Sequence, residues 1–250
     1  MKKIIDISAV SHTFDDGCKG IKDISLSIYE GEFIILAGKN GSGKTTLLRH
    51  LNGLLLPEAG HLRVNGHDVR THLVQTRRTV GMVFQDADTQ IVGETVFDEV
   101  AFGLENLKFD RTQINDRVGC VLKKLDLFHL KDRTPFTLSG GEKKKLAIAG
   151  VLVMDPRVIV FDEPFSNLDY PGTIQVLTTI LDLNRSGHTI IMATHDVETV
   201  IDTATRIIIM EKGLITEDGL PNDIVTRLES WGIRQHCSSK FGMGIKPWLY

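Results

Sequence analysis

Cysteine is scarce in this chain. Cys18, Cys120 and Cys237 are the only three among 250 residues. They are too far apart for metal-ligand spacing and odd in number for a disulfide set, which fits a reducing compartment. Long hydrophobic runs are missing as well. The longest apolar stretches, such as residues 33–38 and 158–161, fall far short of the roughly 20 residues that a membrane span needs. The N-terminus meets Asp6 too early for a signal peptide, so a soluble or peripheral protein is expected. Excess charge is absent too. With 29 basic and 32 acidic residues the net charge is -3, which gives no electrostatic case for a nucleic-acid partner. There is no internal repeat and no low-complexity linker. What remains is an ordinary apolar content of 42% in a chain long enough for one sizeable domain and one buried core. The run Lys143-Lys144-Lys145 is expected to be a solvated helix face.

Ile24, Leu26 and Ile28 alternate with polar residues and predict a half-buried strand. Leu62 and Val64 run into Asn65-Gly66, a hairpin signal, so this N-terminal part is expected to be antiparallel. Phe33-Ile34-Ile35-Leu36-Ala37 reads differently. It is a continuous apolar run ending in glycine, the pattern of a strand buried on both faces. Residues 158–161, 189–193 and 207–210 share that character, and helical patterns separate several of them. An α/β fold follows, with a parallel sheet under covering helices. From about residue 95 to 150 the pattern is helical. Val96, Val100, Leu104 and Leu107 fall on one face behind an N-cap at Thr95 with Asp98. Ile114, Val118, Val121, Leu122 and Leu125 form a second stripe, opened by Thr112. This helical block, about 88–155, is expected as a subdomain inserted into a domain spanning 1–230. Residues 231–250, rich in Gly and Ser, are expected as a partly disordered C-terminal tail.

Gly38-Lys39-Asn40-Gly41-Ser42-Gly43-Lys44-Thr45 lies between an apolar strand and a helical run beginning at Thr46. That strand–loop–helix context is what a phosphate-binding loop requires. Its glycines leave room for phosphate oxygens and let backbone N–H groups point inward, where the helix N-terminus adds a favourable dipole. Lys44 is placed to reach the β- and γ-phosphates, and Thr45 to put its hydroxyl on Mg²⁺. Asp162 and Glu163 follow four apolar residues, so a buried strand delivers both carboxylates to its C-terminal edge beside the loop. Asp162 suits the Mg²⁺ shell. Glu163 suits a general base that polarises the attacking water. His195 ends another such strand. A lone histidine there is more often structural, but at the same sheet edge it is within reach of the γ-phosphate or the water. Gln85, after 80–84, could reach Mg²⁺ or the water through its amide. Alone it would mean nothing.

The phosphate loop, Gln85, Leu138-Ser139-Gly140-Gly141-Glu142, Asp162-Glu163, Ser166-Asn167-Leu168-Asp169 and His195 stand in an order that resembles the nucleotide-binding domain of the ATP-binding-cassette (ABC) family, over about residues 3–225. The resemblance implies a P-loop NTPase fold with a RecA-like core, an N-terminal antiparallel β part and an inserted helical subdomain. It implies ATP and Mg²⁺ as cofactors and ATP hydrolysis as the activity. Lys44 and Thr45 then belong to Walker A, Asp162 and Glu163 to Walker B, Gln85 to the Q-loop, 166–169 to the D-loop, and His195 is the switch histidine. Phe14 stacks on adenine, with Gly38, Asn40, Gly41, Ser42, Gly43, Lys44, Thr45 and Thr46 around the phosphates. Gln85 joins Thr45 and Asp162 at the metal. Ser139, Gly140 and Gly141 meet the γ-phosphate held by another subunit. The physics agrees, because a Ser-Gly-Gly turn opening a helix presents N–H donors to an anion.

A closer resemblance is to energy-coupling factor transporters, whose ATPases drive uptake of vitamins and of cobalt or nickel ions. It rests on Val83-Phe84-Gln85, Asp88, Gln90-Ile91-Val92, the stretch 95–106, and 138–152. It implies a homodimer, or a heterodimer with a related ATP-binding subunit, on the cytoplasmic face of the cell membrane. A transmembrane coupling subunit and a substrate-binding membrane subunit complete the assembly, and Ile91 and Val92 become an interface. The chain departs from the group at Asp86-Ala87, where Asn-Pro is common. Lys39 stands where proline is frequent, His12 where an aromatic is frequent, and the C-terminus is somewhat short. The alternative is a soluble ABC ATPase with an assembly role, for example in iron–sulfur cluster assembly; 90–106 argues against it. The short stretch between Gln85 and Leu138 leaves no room for the long coiled coil of chromosome-maintenance ATPases, and the single cassette excludes the tandem translation-factor type.

Overall fold

The computed structural model describes residues 2–234. In chain order the elements are β1 (Lys3–Thr13), β2 (Lys19–Tyr29), β3 (Phe33–Ala37), α1 (Lys44–Leu51), β4 (Ala59–Val64), β5 (His67–Asp68), α2 (Leu73–Thr79), β6 (Val80–Val83), α3 (Val96–Asn106) and α4 (Arg111–Lys124). Then come α5 (Gly140–Leu152), β7 (Val158–Asp162), α6 (Tyr170–Arg185), β8 (Thr189–Ala193), β9 (Arg206–Glu211), β10 (Leu214–Gly219) and α7 (Pro221–Ile224), with a 3₁₀ stretch at Val225–Trp231.

Two sheets form. An antiparallel sheet runs β2-β1-β4-β5, and a larger one runs β10-β9-β3-β8-β7-β6. In the larger sheet β6, β7, β8, β3 and β9 are mutually parallel and only β10 is reversed. Asn65 and Gly66 both have positive φ, 49° and 83°, as the two-residue hairpin between β4 and β5 requires.

Every residue of β3, β6, β7 and β8 is buried, which explains their unbroken apolar character. Successive β3 residues serve different cores. Ile34 and Leu36 pack with Leu47, Leu48 and the antiparallel sheet. Phe33 and Ile35 face the layer that holds Val100, Leu104, Leu146 and Ile180. Because the strands are parallel, β3, β6, β7 and β8 all present their C-terminal ends to one edge, where an open α/β sheet puts its ligands.

Four expectations change in the folded chain. Asp110, not Thr112, caps α4: its carboxylate accepts the Gln113 N–H at 2.9 Å, so Thr112 lies inside the first turn. The lysine run is no solvated face. Lys143 pairs with Asp88 at 2.7 Å, Lys144 is buried, and Lys145 donates to Leu125 O at 3.0 Å. Consecutive helical residues point about 100° apart, so three in a row cannot share one face. Ile91 packs against the core, whereas Val92 is 65% exposed. At the other end Trp231 packs against the core and Ile233 is buried, so packing continues past residue 230. Beyond Arg234 the expected tail lies outside the described residues, as does Cys237.

Candidate active site

The loop after β3 is built on glycine where side chains are forbidden. At Gly38, with φ 155°, a Cβ would overlap the Met210 carbonyl and the Ser42 hydroxyl. Gly43, with φ 103°, opens α1 against the Gly20 carbonyl. Across the loop, Lys44 Nζ donates to Gly38 O at 2.7 Å and Lys39 O at 3.2 Å. Burial pushes the Lys44 ammonium pKa down, and Glu163 and Asp162 oppose that shift. Ser42 Oγ is buried without a hydrogen-bond partner among the described residues, which leaves its O–H available to donate to a phosphate oxygen.

Thr45 Oγ1 donates to Asp162 Oδ1 at 3.1 Å, which joins α1 to the end of β7. Burial raises the Asp162 pKa, while the Thr45 hydrogen bond works the other way. Glu163 follows with φ 47°, a left-handed conformation that costs a non-glycine residue on the order of 1 kcal/mol. Two contacts hold it there. Its N–H donates to Ala193 O at 2.9 Å, and its Oε2 accepts from His195 Nδ1 at 2.8 Å. The glutamate is nearly buried and the imidazole mostly exposed. Because β7 and β8 are neighbours, residues 32 apart in sequence pair at one edge.

Phe14, Asn40, Gly41, Ser42, Gly43, Lys44, Thr45, Thr46, Gln85, Glu163 and His195 line one cleft of about 420 Å³. Gly38 lies at its base through the Lys44 bond, and Asp162 adjoins it through Thr45. Gln85 Nε2 reaches Ser166 Oγ at 3.4 Å. The half-exposed Phe14 ring meets the His12 ring edge-on at a centroid distance of 4.9 Å. Lys39 does not line this cleft. Its side chain lies along Gly232, where a Cβ would overlap it.

Ser139, Gly140 and Gly141 are elsewhere. They line a separate cleft of about 380 Å³ with Asn167, Asp169, Gly172 and Gln175. Ser139 caps α5 in a reciprocal box: Glu142 N–H donates to Ser139 Oγ, and Ser139 N–H donates to Glu142 Oε2. The Ser139 N–H and the Ser139 hydroxyl, both donating to Glu142 Oε2 at 2.8 Å, hold that carboxyl below its ordinary pKa. Gly140 and Gly141, at a helix start whose first N–H groups have no intrahelical partner, line this cleft.

Some contributors escape a reading by motif. Gly20 has Phe14 Cε2 and Thr46 Cγ2 at 2.8 and 2.9 Å from where its Cβ would stand, so it lets the aromatic approach the loop. An isolated glycine inside an alternating strand is the available signal. Buried Glu99 accepts the N–H groups of Val92 and Gly93 at 2.7 and 2.8 Å and fixes the stretch after Gln85. A third, larger cleft of about 660 Å³ lies beside that stretch, with Leu54, Val74, Val92, Phe102, Leu107 and Met154 along it. No helix among the described residues is long and apolar enough to cross a membrane.

The profile of the family described as "ABC transporter" matches residues 21–166. The chain is 42% identical over 226 residues to the energy-coupling factor transporter ATP-binding protein EcfA2 of Methanospirillum hungatei, covering 89% of this chain and 57% of that protein. It is 40% identical over 234 residues to the EcfA1 protein of Enterococcus faecalis, covering 92% and 84%. Among solved structures it is similar to cbiO1 of Clostridium perfringens, part of the ABC transporter complex cbiONQ. The TM-score is 0.82 at 34% identity, covering 92% of this chain and 93% of that one.

Proposed function

The chain belongs to the ABC transporter family of ATP-binding subunits, and on that premise we propose that it is the ATP-hydrolysing subunit of an importer of energy-coupling factor type. One observation carries this. The phosphate loop and the Ser139–Gly141 helix start line two separate clefts. As an anion seat, that helix start therefore needs phosphates from elsewhere, which a second nucleotide-binding subunit, identical or related, supplies in a head-to-tail pair.

ATP enters with adenine on Phe14 and its phosphates in the loop of 38–46. Lys44 turns its ammonium to the β- and γ-phosphates. Thr45 Oγ1 and Asp162 Oδ1, oxygen donors 3.1 Å apart beside the phosphate loop, would hold Mg²⁺, with Gln85 alongside. When bound there, the ion would neutralise charge at the phosphates. Glu163 takes a proton from water, and His195 Nδ1 keeps the carboxylate aimed. Water oxygen bonds to the γ-phosphorus as the bond to the bridging oxygen of ADP breaks. Loss of the γ-phosphate releases the partner's Ser139–Gly141 seat, and the pair opens.

Opening and closing act on a transmembrane coupling subunit, with a separate membrane subunit choosing the cargo, a metal ion or a vitamin. The chain sits peripherally at the cytoplasmic face. The docking site is the third cleft, where Val92 and Phe102 are 65% and 51% exposed. Affinity capture of this chain from detergent-solubilised membranes should recover a multi-spanning protein. Val92→Asp with Phe102→Asp should abolish that recovery while ATP binding stays intact. Capture with no membrane subunit would return the chain to the soluble assembly ATPases.

The adenine platform has its own test. Phe14→Ala should weaken ATP about tenfold by calorimetry, the scale of one lost stacking contact. Inorganic tripolyphosphate, which has no base, should bind as before. Equal losses for both would put Phe14 in the loop's support instead.

A further inference from the structure

Lys144 carries a charge into the interior. The residue is 2% exposed, and its Nζ donates to Gln85 O at 2.7 Å and Phe84 O at 3.2 Å. Among the described residues no carboxylate stands within ion-pair distance of it; Asp86 and Asp162 act only from further off. Burying an ammonium without a paired anion costs several kcal/mol, and an apolar residue would pack there at less cost. Burial accordingly pushes its pKa down. A donor kept at such cost on two backbone carbonyls points to a task for those carbonyls.

The surroundings indicate the task. The same segment is fastened to α5 at two more points. Gln90 Oε1 accepts the Phe84 N–H at 2.9 Å while its Nε2 donates to Ala147 O at 3.4 Å, and Lys143 pairs with Asp88 at 2.7 Å. Lys144 lies about one helical turn, roughly 6 Å, from Gly140 at the start of α5. So one rigid helix holds the Ser139–Gly141 seat at its tip and, one turn on, the backbone that carries Gln85 into the other cleft.

We propose that Lys144 is a positioning residue that makes the Ser139–Gly141 seat and Gln85 move as one body, so that docking of the seat on a partner's nucleotide sets Gln85 in the chain's own site. The inference rests on the reading above that Gln85 faces the nucleotide and the seat faces a partner. What matters is donation to the two carbonyls, not the charge as such.

The test uses the transporter assembled with its membrane subunits. Lys144→Met keeps the length and removes the donors; Lys144→Gln keeps an N–H donor and removes the charge. The Met variant should bind ATP as wild type does and lose about tenfold or more in kcat, the scale of a slightly misplaced group, along with cooperativity in ATP. The Gln variant should recover most of both. Unchanged kcat and cooperativity in the Met variant, or a Gln variant as slow as Met, would overturn the inference. Should Lys144→Met fail to fold, Lys144→Gln decides alone: near-wild-type kcat supports the tether, and a comparable loss at unchanged ATP affinity sinks it. Absence of hydrolysis in the wild-type assembly would instead overturn the functional reading itself.

Discussion

Glu163→Gln is expected to leave ATP binding intact and to lower hydrolysis by about 10²- to 10⁴-fold, the contribution of a positioned general base. The amide has the shape of the carboxylate, and its oxygen can still accept the His195 Nδ1 proton that Glu163 Oε2 accepts at 2.8 Å. The backbone keeps its left-handed turn and its bond to Ala193 O. Only basicity is lost. Phosphates on the loop are untouched, so ATP-bound subunits should accumulate as closed pairs, visible by light scattering as a doubling of mass on adding ATP with Mg²⁺. Hydrolysis at the wild-type rate would show that the proton goes elsewhere and that Glu163 is not the base.

Gly140→Asp should separate the two clefts. Gly140 is the first residue of α5, where an acidic side chain favours the helix dipole. A Cβ there would be tight against the Leu168 Cδ2 atom at 3.3 Å, the far end of a flexible side chain, and in ordinary contact with the Asn167 carbonyl oxygen at 3.9 Å, so the fold should accept it. In the proposed pair the carboxylate would face the γ-phosphate held by the partner. ATP affinity of the isolated subunit should be unchanged, because this cleft shares no residue with the nucleotide cleft. Hydrolysis by the pair should fall by about 10²-fold or more, the cost of losing one preorganised donor to developing charge. Loss of ATP binding by the isolated subunit would place the seat in cis and remove the need for a partner. Both tests are informative because each variant leaves the other cleft as it was.

The parts of the site that were legible in sequence are those whose chemistry is local. Glycine spacing before Lys44-Thr45, and two acids after four apolar residues, carry their meaning within a few positions. Glu163 with His195 is different: each was a candidate alone, and only the adjacency of β7 and β8 makes them a pair. The lysines fared worst. Composition registers three positive charges, but not that the helix aims them in three directions, toward Asp88, the Gln85 carbonyl and the Leu125 carbonyl. Ile91 and Val92 show the same limit. Two adjacent apolar residues look alike until Glu99 fixes the loop and turns one inward and one out.

Lys39 lies along Gly232, so the phosphate loop and the turn after Val225–Trp231 share a boundary. That proximity makes the exposed Ser230 a natural place for a fluorescent reporter. A dye there would sense loop occupancy from outside the cleft, without touching any residue that grips the nucleotide. Occupancy of each subunit in a working pair could then be followed in real time, one colour per copy.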